Sequence, residues 1–186
     1  MSNFLLKNPE CVFIHIPKTG GSTIRLGIWK ERYEGPVFGK MPDEWKDKFK
    51  FAFVRHPISR LVSAWSDFTQ HRGQTHTIEE FLDVVMDESV NYIPPTQNMA
   101  EKIRHHTIAQ THPFNTLFEA DFIGRHENYI EDLKFILDKM HVVPEHIPNW
   151  RETKKVDWKD VVKGKTLMRA VEFFEEDFEK LGYAKP

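Results

Sequence analysis

Two short segments of the chain hold the residue types that chemistry on an anion requires. The first, Ile16-Pro17-Lys18-Thr19-Gly20-Gly21-Ser22-Thr23, sets a lysine, three hydroxyls and a pair of glycines side by side. Gly20 and Gly21 let the backbone curl so that successive N–H groups face one oxyanion, and Lys18 adds a mobile full charge. Thr19, Ser22 and Thr23 bring hydroxyl donors. The second segment, Phe53-Val54-Arg55-His56-Pro57-Ile58-Ser59-Arg60-Leu61-Val62-Ser63-Ala64-Trp65, repeats the logic. Arg55 offers a bidentate fork and Ser63, two helical turns on, a single donor for the same phosphate. Each segment also has a plain structural reading: a tight turn with a solvated Lys18, a salt bridge for Arg55, a helix-surface position for Ser63. The setting favours anion binding.

That setting is a strand before each segment and a helix after it. Cys11-Val12-Phe13-Ile14-His15-Ile16 and Phe51-Ala52-Phe53-Val54 are short, apolar and β-prone, without clean alternation. Such runs suit strands buried on both faces of a parallel sheet. A helix capped by Ser22 or Thr23 is expected to carry Ile24, Leu26, Ile28 and Trp29. Pro57 opens a second, with Leu61, Val62, Ala64, Trp65 and Phe68. Helical spacing recurs over about 78–88, 128–140 and 165–181, and Asp121-Phe122-Ile123-Gly124 looks like a further short strand beside Leu117-Phe118-Glu119. The expected fold is therefore α/β, three layers α/β/α around a central parallel sheet, with ligands at the carboxyl ends of the strands. One domain spanning 1–186 is expected, with a polar, His-rich loop or lid at about 90–115.

Composition narrows the function classes. The 186 residues are 40% hydrophobic and 29% charged, ordinary for a soluble globular protein, and a formal charge of −2 gives no global reason to expect nucleic acid as partner. Cys11 is the only cysteine, so no intrachain disulfide forms and a reducing, cytoplasmic setting is expected. No signal-peptide pattern opens the sequence, and no apolar run approaches the length of a membrane span. The glycine loop is not a Walker A motif, because its lysine precedes the glycines, and no aspartate ends an apolar strand as Walker B requires. The ten histidines form no H-x-x-x-H or H-E-x-x-H pattern, so no metal is expected.

Together the two segments resemble the sulfotransferase superfamily, in its carbohydrate O-sulfotransferase-like branch, which includes heparan sulfate 2-O-sulfotransferase. That family's Pro-Lys-Thr-Gly loop corresponds to Pro17 through Thr23, and its Arg-x-Pro-x-x-Arg-Leu-x-Ser segment to Arg55, Pro57, Arg60, Leu61 and Ser63. Two later stretches extend the resemblance: Gly124-Arg125-His126-Glu127 with Asp132-Leu133, and Phe174 to Asp177-Phe178 and Gly182-Tyr183. The resemblance implies a P-loop-like sulfotransferase fold and 3′-phosphoadenosine 5′-phosphosulfate as donor, with 3′-phosphoadenosine 5′-phosphate as product and no metal. It implies that Lys18, Thr19, Gly20, Gly21, Ser22 and Thr23 hold the 5′-phosphosulfate, that Lys18 steadies the leaving oxygen, and that Arg55 and Ser63 hold the 3′-phosphate. It also places Arg125 and His126 near the adenine. The acceptor it implies is a hydroxyl or amine on a glycan or small molecule.

The general base has no clear candidate. Residues 24–50 contain no histidine; Glu31 and Glu34 lie there, and His105, His106 and His112 lie in the expected lid. Two alternatives stay open on the sequence: a P-loop-like nucleotide kinase or NTPase, and a nucleotide-binding module without catalysis.

Overall fold

Five short strands form one sheet: β1 (Ser2–Leu6), β2 (Cys11–His15), β3 (Tyr33–Val37), β4 (Lys50–Val54) and β5 (Phe122–Arg125), in the order β3-β1-β2-β4-β5. They belong to a computed structural model that describes residues 2–144, 147 and 156–186. β2, β4 and β5 run parallel, with Phe13 beside Phe51 and Ala52 beside Ile123. Cys11 through Ile14 and Phe51 through Val54 are each 1% exposed or less, so both faces of these strands are covered, as their unbroken apolar runs required. The fold is α/β, as expected.

β1 and β3 add an antiparallel arm that the apolar runs did not announce. β1 turns back through Asn8, at φ +57°, to pair Leu6 with Cys11 and Ser2 with His15. β3 carries Gly35 and Pro36, both poor strand formers; Pro36 is tolerated because β3 is an edge strand.

The helices are α1 (Pro57–His71), α2 (Ile78–Met86), α3 (Met99–Thr107), α4 (Tyr129–Lys139), α5 (Trp158–Val161), α6 (Gly164–Phe173) and α7 (Glu175–Leu181). The described residues group into two compact units, each discontinuous in sequence. The first joins Met1–Arg55 to Gln110–Arg151 and contains the whole sheet with α4. Its core packs Phe4, Phe13, Phe51 and Phe53 of the sheet with Ile24, Ile28 and Trp29 and with Leu133, Ile136 and Leu137 of α4 in one cluster. The second unit joins His56–Ala109 to Glu152–Pro186 and is helical, built on Leu61, Phe68, Phe81, Leu82, Phe174 and Phe178 among others.

Local chemistry explains most boundaries. Pro57 opens α1, and the His56 ring accepts from the Ser59 amide at 3.4 Å. Thr77 and Glu80 form a reciprocal capping box at the start of α2. Three expectations need correction. The helix foreseen after Ser22 is a single π-helical turn, Thr23–Ile28, in which Trp29 N–H donates to Ile24 O at 3.0 Å. The stretch foreseen as one helix over 165–181 breaks into α6 and α7 at Phe174. No proline or glycine marks that break. The loop or lid foreseen at 90–115 contains α3, capped by Asn98, with Ile103 fully buried. Its buried face includes Arg104 and Thr107, polar residues that hid the helical period.

Arg60 ties α1 to α3 within the second unit. Only 1% exposed, it donates from Nη1 to Ile108 O and from Nη2 to His106 O, both at 3.0 Å. These carbonyls close the last turn of α3, where a cation is favourable and orphan acceptors need donors. Arg60→Met is expected to lower the unfolding free energy by about 2–4 kcal/mol, since two buried carbonyls lose charged donors. Arg60→Lys, which cannot reach both, should recover less than half of that in urea unfolding.

Candidate functional site

The turn after β2 is shaped by where its carbonyl oxygens go. Thr19, fully buried, donates its hydroxyl to Ile16 O at 2.7 Å. Arg55, the first residue beyond β4, donates from Nη1 to Lys18 O at 3.3 Å. Tyr129, the first residue of α4, donates its hydroxyl to Gly20 O at 2.8 Å. The three alternate carbonyls at 16, 18 and 20 are thus engaged by side chains from the loop itself, β4 and α4. With its acceptors occupied, the turn keeps the donor-rich character an anion site needs.

The backbone reaches this shape through two residues in the left-handed region, Lys18 at φ +70° and Gly20 at φ +98°. For Lys18 this is uncommon, and such outliers cluster at functional sites. Gly20 and Gly21 are also required by close approach. A β-carbon on Gly20 would lie 2.4 Å from Cε2 of Tyr129, and one on Gly21 would lie 2.3 Å from Cδ2 of His15. Ser22 begins the π-helical turn without a side-chain cap bond, and Thr23, 8% exposed, donates its amide to Gly20 O at 3.2 Å.

The backbone of Arg55 is held by a side-chain amide. Gln110, fully buried, accepts the Arg55 N–H at 2.9 Å and donates to the Arg55 carbonyl at 2.8 Å, completing the strand end as a neighbouring strand would. At the end of β5, Asp132 accepts the Arg125 N–H, while a β-carbon on Gly124 would lie 2.6 Å from the Phe53 ring. The glycine and aspartate of that segment therefore dock α4 onto β5, which carries Tyr129 to the loop.

The first unit brings together Lys18, Thr19, Gly20, Gly21, Ser22, Thr23 and Arg55. Ser63 lies half-buried on α1 in the second unit. Glu31 is exposed at φ +63°, and Glu34 pairs with Lys7 at 2.9 Å on β3. His112 accepts the Phe114 amide at 3.2 Å at the start of a 3₁₀ turn. His105 and His106 belong to α3; His105 Nδ1 is 2.9 Å from Tyr92 O, and burial pushes its imidazole down to about 4. His56, beside Arg55 in sequence, stacks on Trp158 at 5.4 Å within the second unit.

Three contributors escaped sequence reasoning: His15, Gln110 and Tyr129. His15 is the last residue of β2 and passed for a strand position, although it stands directly before Ile16-Pro17-Lys18. Tyr129 fell inside the helix expected at about 128–140 and drew no notice there. Gln110 has no local signal, because its partner is 55 residues away.

Two outcomes test this geometry. Gly21→Ala should lower stability and loop-dependent binding, and His15→Ala in the same chain should restore much of the loss, a coupling that additive effects would not produce. A double-mutant cycle by thermal unfolding measures it. His105 is held neutral in the fold and protonates more readily when unfolded. Stability should therefore fall as pH drops from about 6.5 towards 4. His105→Gln should flatten that part of the profile in urea unfolding at stepped pH.

Among the described residues no group of three or more His, Cys, Asp or Glu side chains is arranged to hold a metal ion, and no helix is long and apolar enough to cross a membrane. No curated protein and no solved structure matches the chain significantly. The sulfotransferase family model matches residues 29–184. The turn at Lys18–Thr23 precedes that stretch, whereas Arg55, Ser63, the Gly124–Asp132 segment and Phe174–Tyr183 fall inside it. With a match over most of its length and an α/β sheet whose parallel strands end at a donor-rich turn, the chain belongs to the sulfotransferase family.

Proposed function

We propose that the protein transfers the sulfuryl group of 3′-phosphoadenosine 5′-phosphosulfate to a hydroxyl or amine on a glycan or small molecule. The observation that carries this reading is the pairing of the two anion segments: Arg55 reaches across to the carbonyl of Lys18. A guanidinium and a lysine-bearing turn so close together suit a ligand with two separate anionic groups, one at each end of a nucleoside.

The turn takes the 5′ end. Lys18 and the amides around Gly20 and Gly21 neutralise the phosphosulfate, and Thr19 acts through its bond to Ile16 O, which sets the turn. Arg55, fixed by Gln110, takes the 3′-phosphate. In the transfer itself the acceptor oxygen or nitrogen bonds to sulfur and gives up its proton to solvent water, while the bond from sulfur to the 5′-phosphate oxygen breaks. Charge grows on that leaving oxygen, and a preorganised cation beside it lowers the barrier without reorganising solvent. Lys18 is the residue assigned to that work. The donor supplies the activated sulfuryl group; the chain supplies binding, alignment and charge.

Calorimetric titration with 3′-phosphoadenosine 5′-phosphate tests the reading. Wild type should bind, and Lys18→Ala and Arg55→Ala should each weaken binding by about 1.5–3 kcal/mol, the range for hydrogen bonds to charged groups. Ser63→Ala in the same titration reports on the serine implied by the family spacing. Failure of wild type to bind, together with tight magnesium-dependent binding of ATP, would point to a nucleotide kinase or NTPase instead.

A further inference from the structure

We infer that Tyr129 is a positioning residue for the 5′ end of the donor, acting by holding the Gly20 carbonyl away from the anion. The inference rests on the donor reading above and assigns a role to a residue outside the turn.

Among the three side-chain contacts to the turn's carbonyls, only this one comes from α4, and it adds to the bond that Gly20 O accepts from the Thr23 N–H at 3.2 Å. A peptide unit has two faces: when its oxygen is fastened to one side, the adjoining N–H is directed to the other. Fastening Gly20 O to Tyr129 therefore fixes the next amide, that of Gly21. Without the tyrosine the carbonyl keeps only the longer Thr23 N–H bond and gains freedom to swing towards the ligand, setting its lone pairs against a phosphate or sulfate oxygen, a repulsion in place of an attraction.

The tyrosine is itself held from several directions. Its ring lies 4.8 Å from the Phe53 ring on β4 and 5.8 Å from that of His126, and it packs so closely on Gly20 that no side chain fits there. Its hydroxyl, which donates to Gly20, also bonds the side chain of Thr23. Burial raises its pKa, and the Thr23 contact only partly opposes this, so the phenol keeps its proton and remains a donor throughout the working pH range. Thr23, Tyr129 and Gly20 thus form a short chain of hydrogen bonds linking the π-helical turn, α4 and the glycine loop.

The test compares two ligands on Tyr129→Phe, which keeps the ring and removes only the hydroxyl. 3′-Phosphoadenosine 5′-phosphate carries the 5′ anion, and adenosine 3′-monophosphate lacks it. The expected result is a loss of roughly three- to tenfold in affinity for the first, the range of one hydrogen bond. Affinity for the second should be unchanged. Tyr129→Leu, which also removes the ring, should lose more, with the same preference between ligands. Equal weakening of both ligands by Tyr129→Phe would mean a general structural effect and overturn the assignment, as would no change for either while Tyr129→Leu loses binding. If wild type binds neither ligand, the donor reading itself fails, an outcome separate from any behaviour of the variants.

Discussion

A turn that is to receive an anion must put its own carbonyl oxygens somewhere else. That requirement governs the first unit. Ile16, Lys18 and Gly20 surrender their oxygens to Thr19, Arg55 and Tyr129, and each donor comes from a different structural level: the loop, the neighbouring strand, and a helix more than 100 residues on. The arrangement demands two left-handed residues and two positions with no room for a β-carbon. It also explains features of no obvious chemical use. Gln110 shapes Arg55, Asp132 anchors α4 to β5, and Gly124 lets β5 approach Phe53, all of which serve to bring the donors to the turn.

The parts of this that sequence could announce are those whose cause is local. Unbroken apolar runs marked β2 and β4 as doubly buried, and Gly20-Gly21 beside Lys18 marked the turn. Pro57 marked the start of α1. What stayed hidden depends on distant partners. β1 and β3 are strands because of their neighbours: β3 contains Gly35 and Pro36, and β1 opens with the polar pair Ser2-Asn3, which leaves only a short apolar run. The π-helical turn looked like an α-helix because Ile24 and Ile28 fit either period. Tyr129 and Gln110 acquire their roles only once α4 and residue 110 are brought against the ends of β2 and β4.

The second unit makes the same point with a different residue. Arg60 stands in the Arg-x-Pro-x-x-Arg spacing beside a candidate phosphate ligand, and its charge invites a functional reading. Its guanidinium is instead spent on the last carbonyls of α3. The concealment of α3 has a related cause. A helix that buries Arg104 and Thr107 ties them to backbone carbonyls, Arg104 Nη1 to Asp87 O and Thr107 to Ile103 O, although Arg104 Nε stays without a hydrogen-bond partner among the described residues. Hydrophobic periodicity is blind to such a face.

The interleaving of the two units carries a kinetic cost. β1 and β2 are joined by a tight turn, and β2 and β4 by a segment that includes the π-helical turn and β3, but the β4–β5 ladder closes only after the whole of His56–Asp121 has intervened. Closure entropy grows with loop length, and contacts of long range form slowly. Without that ladder β4 would present an open apolar edge, the kind of surface through which chains aggregate. The same long-range closure brings Tyr129 within reach of Gly20, so the third side-chain contact of the turn depends on the most distant strand pairing of the sheet.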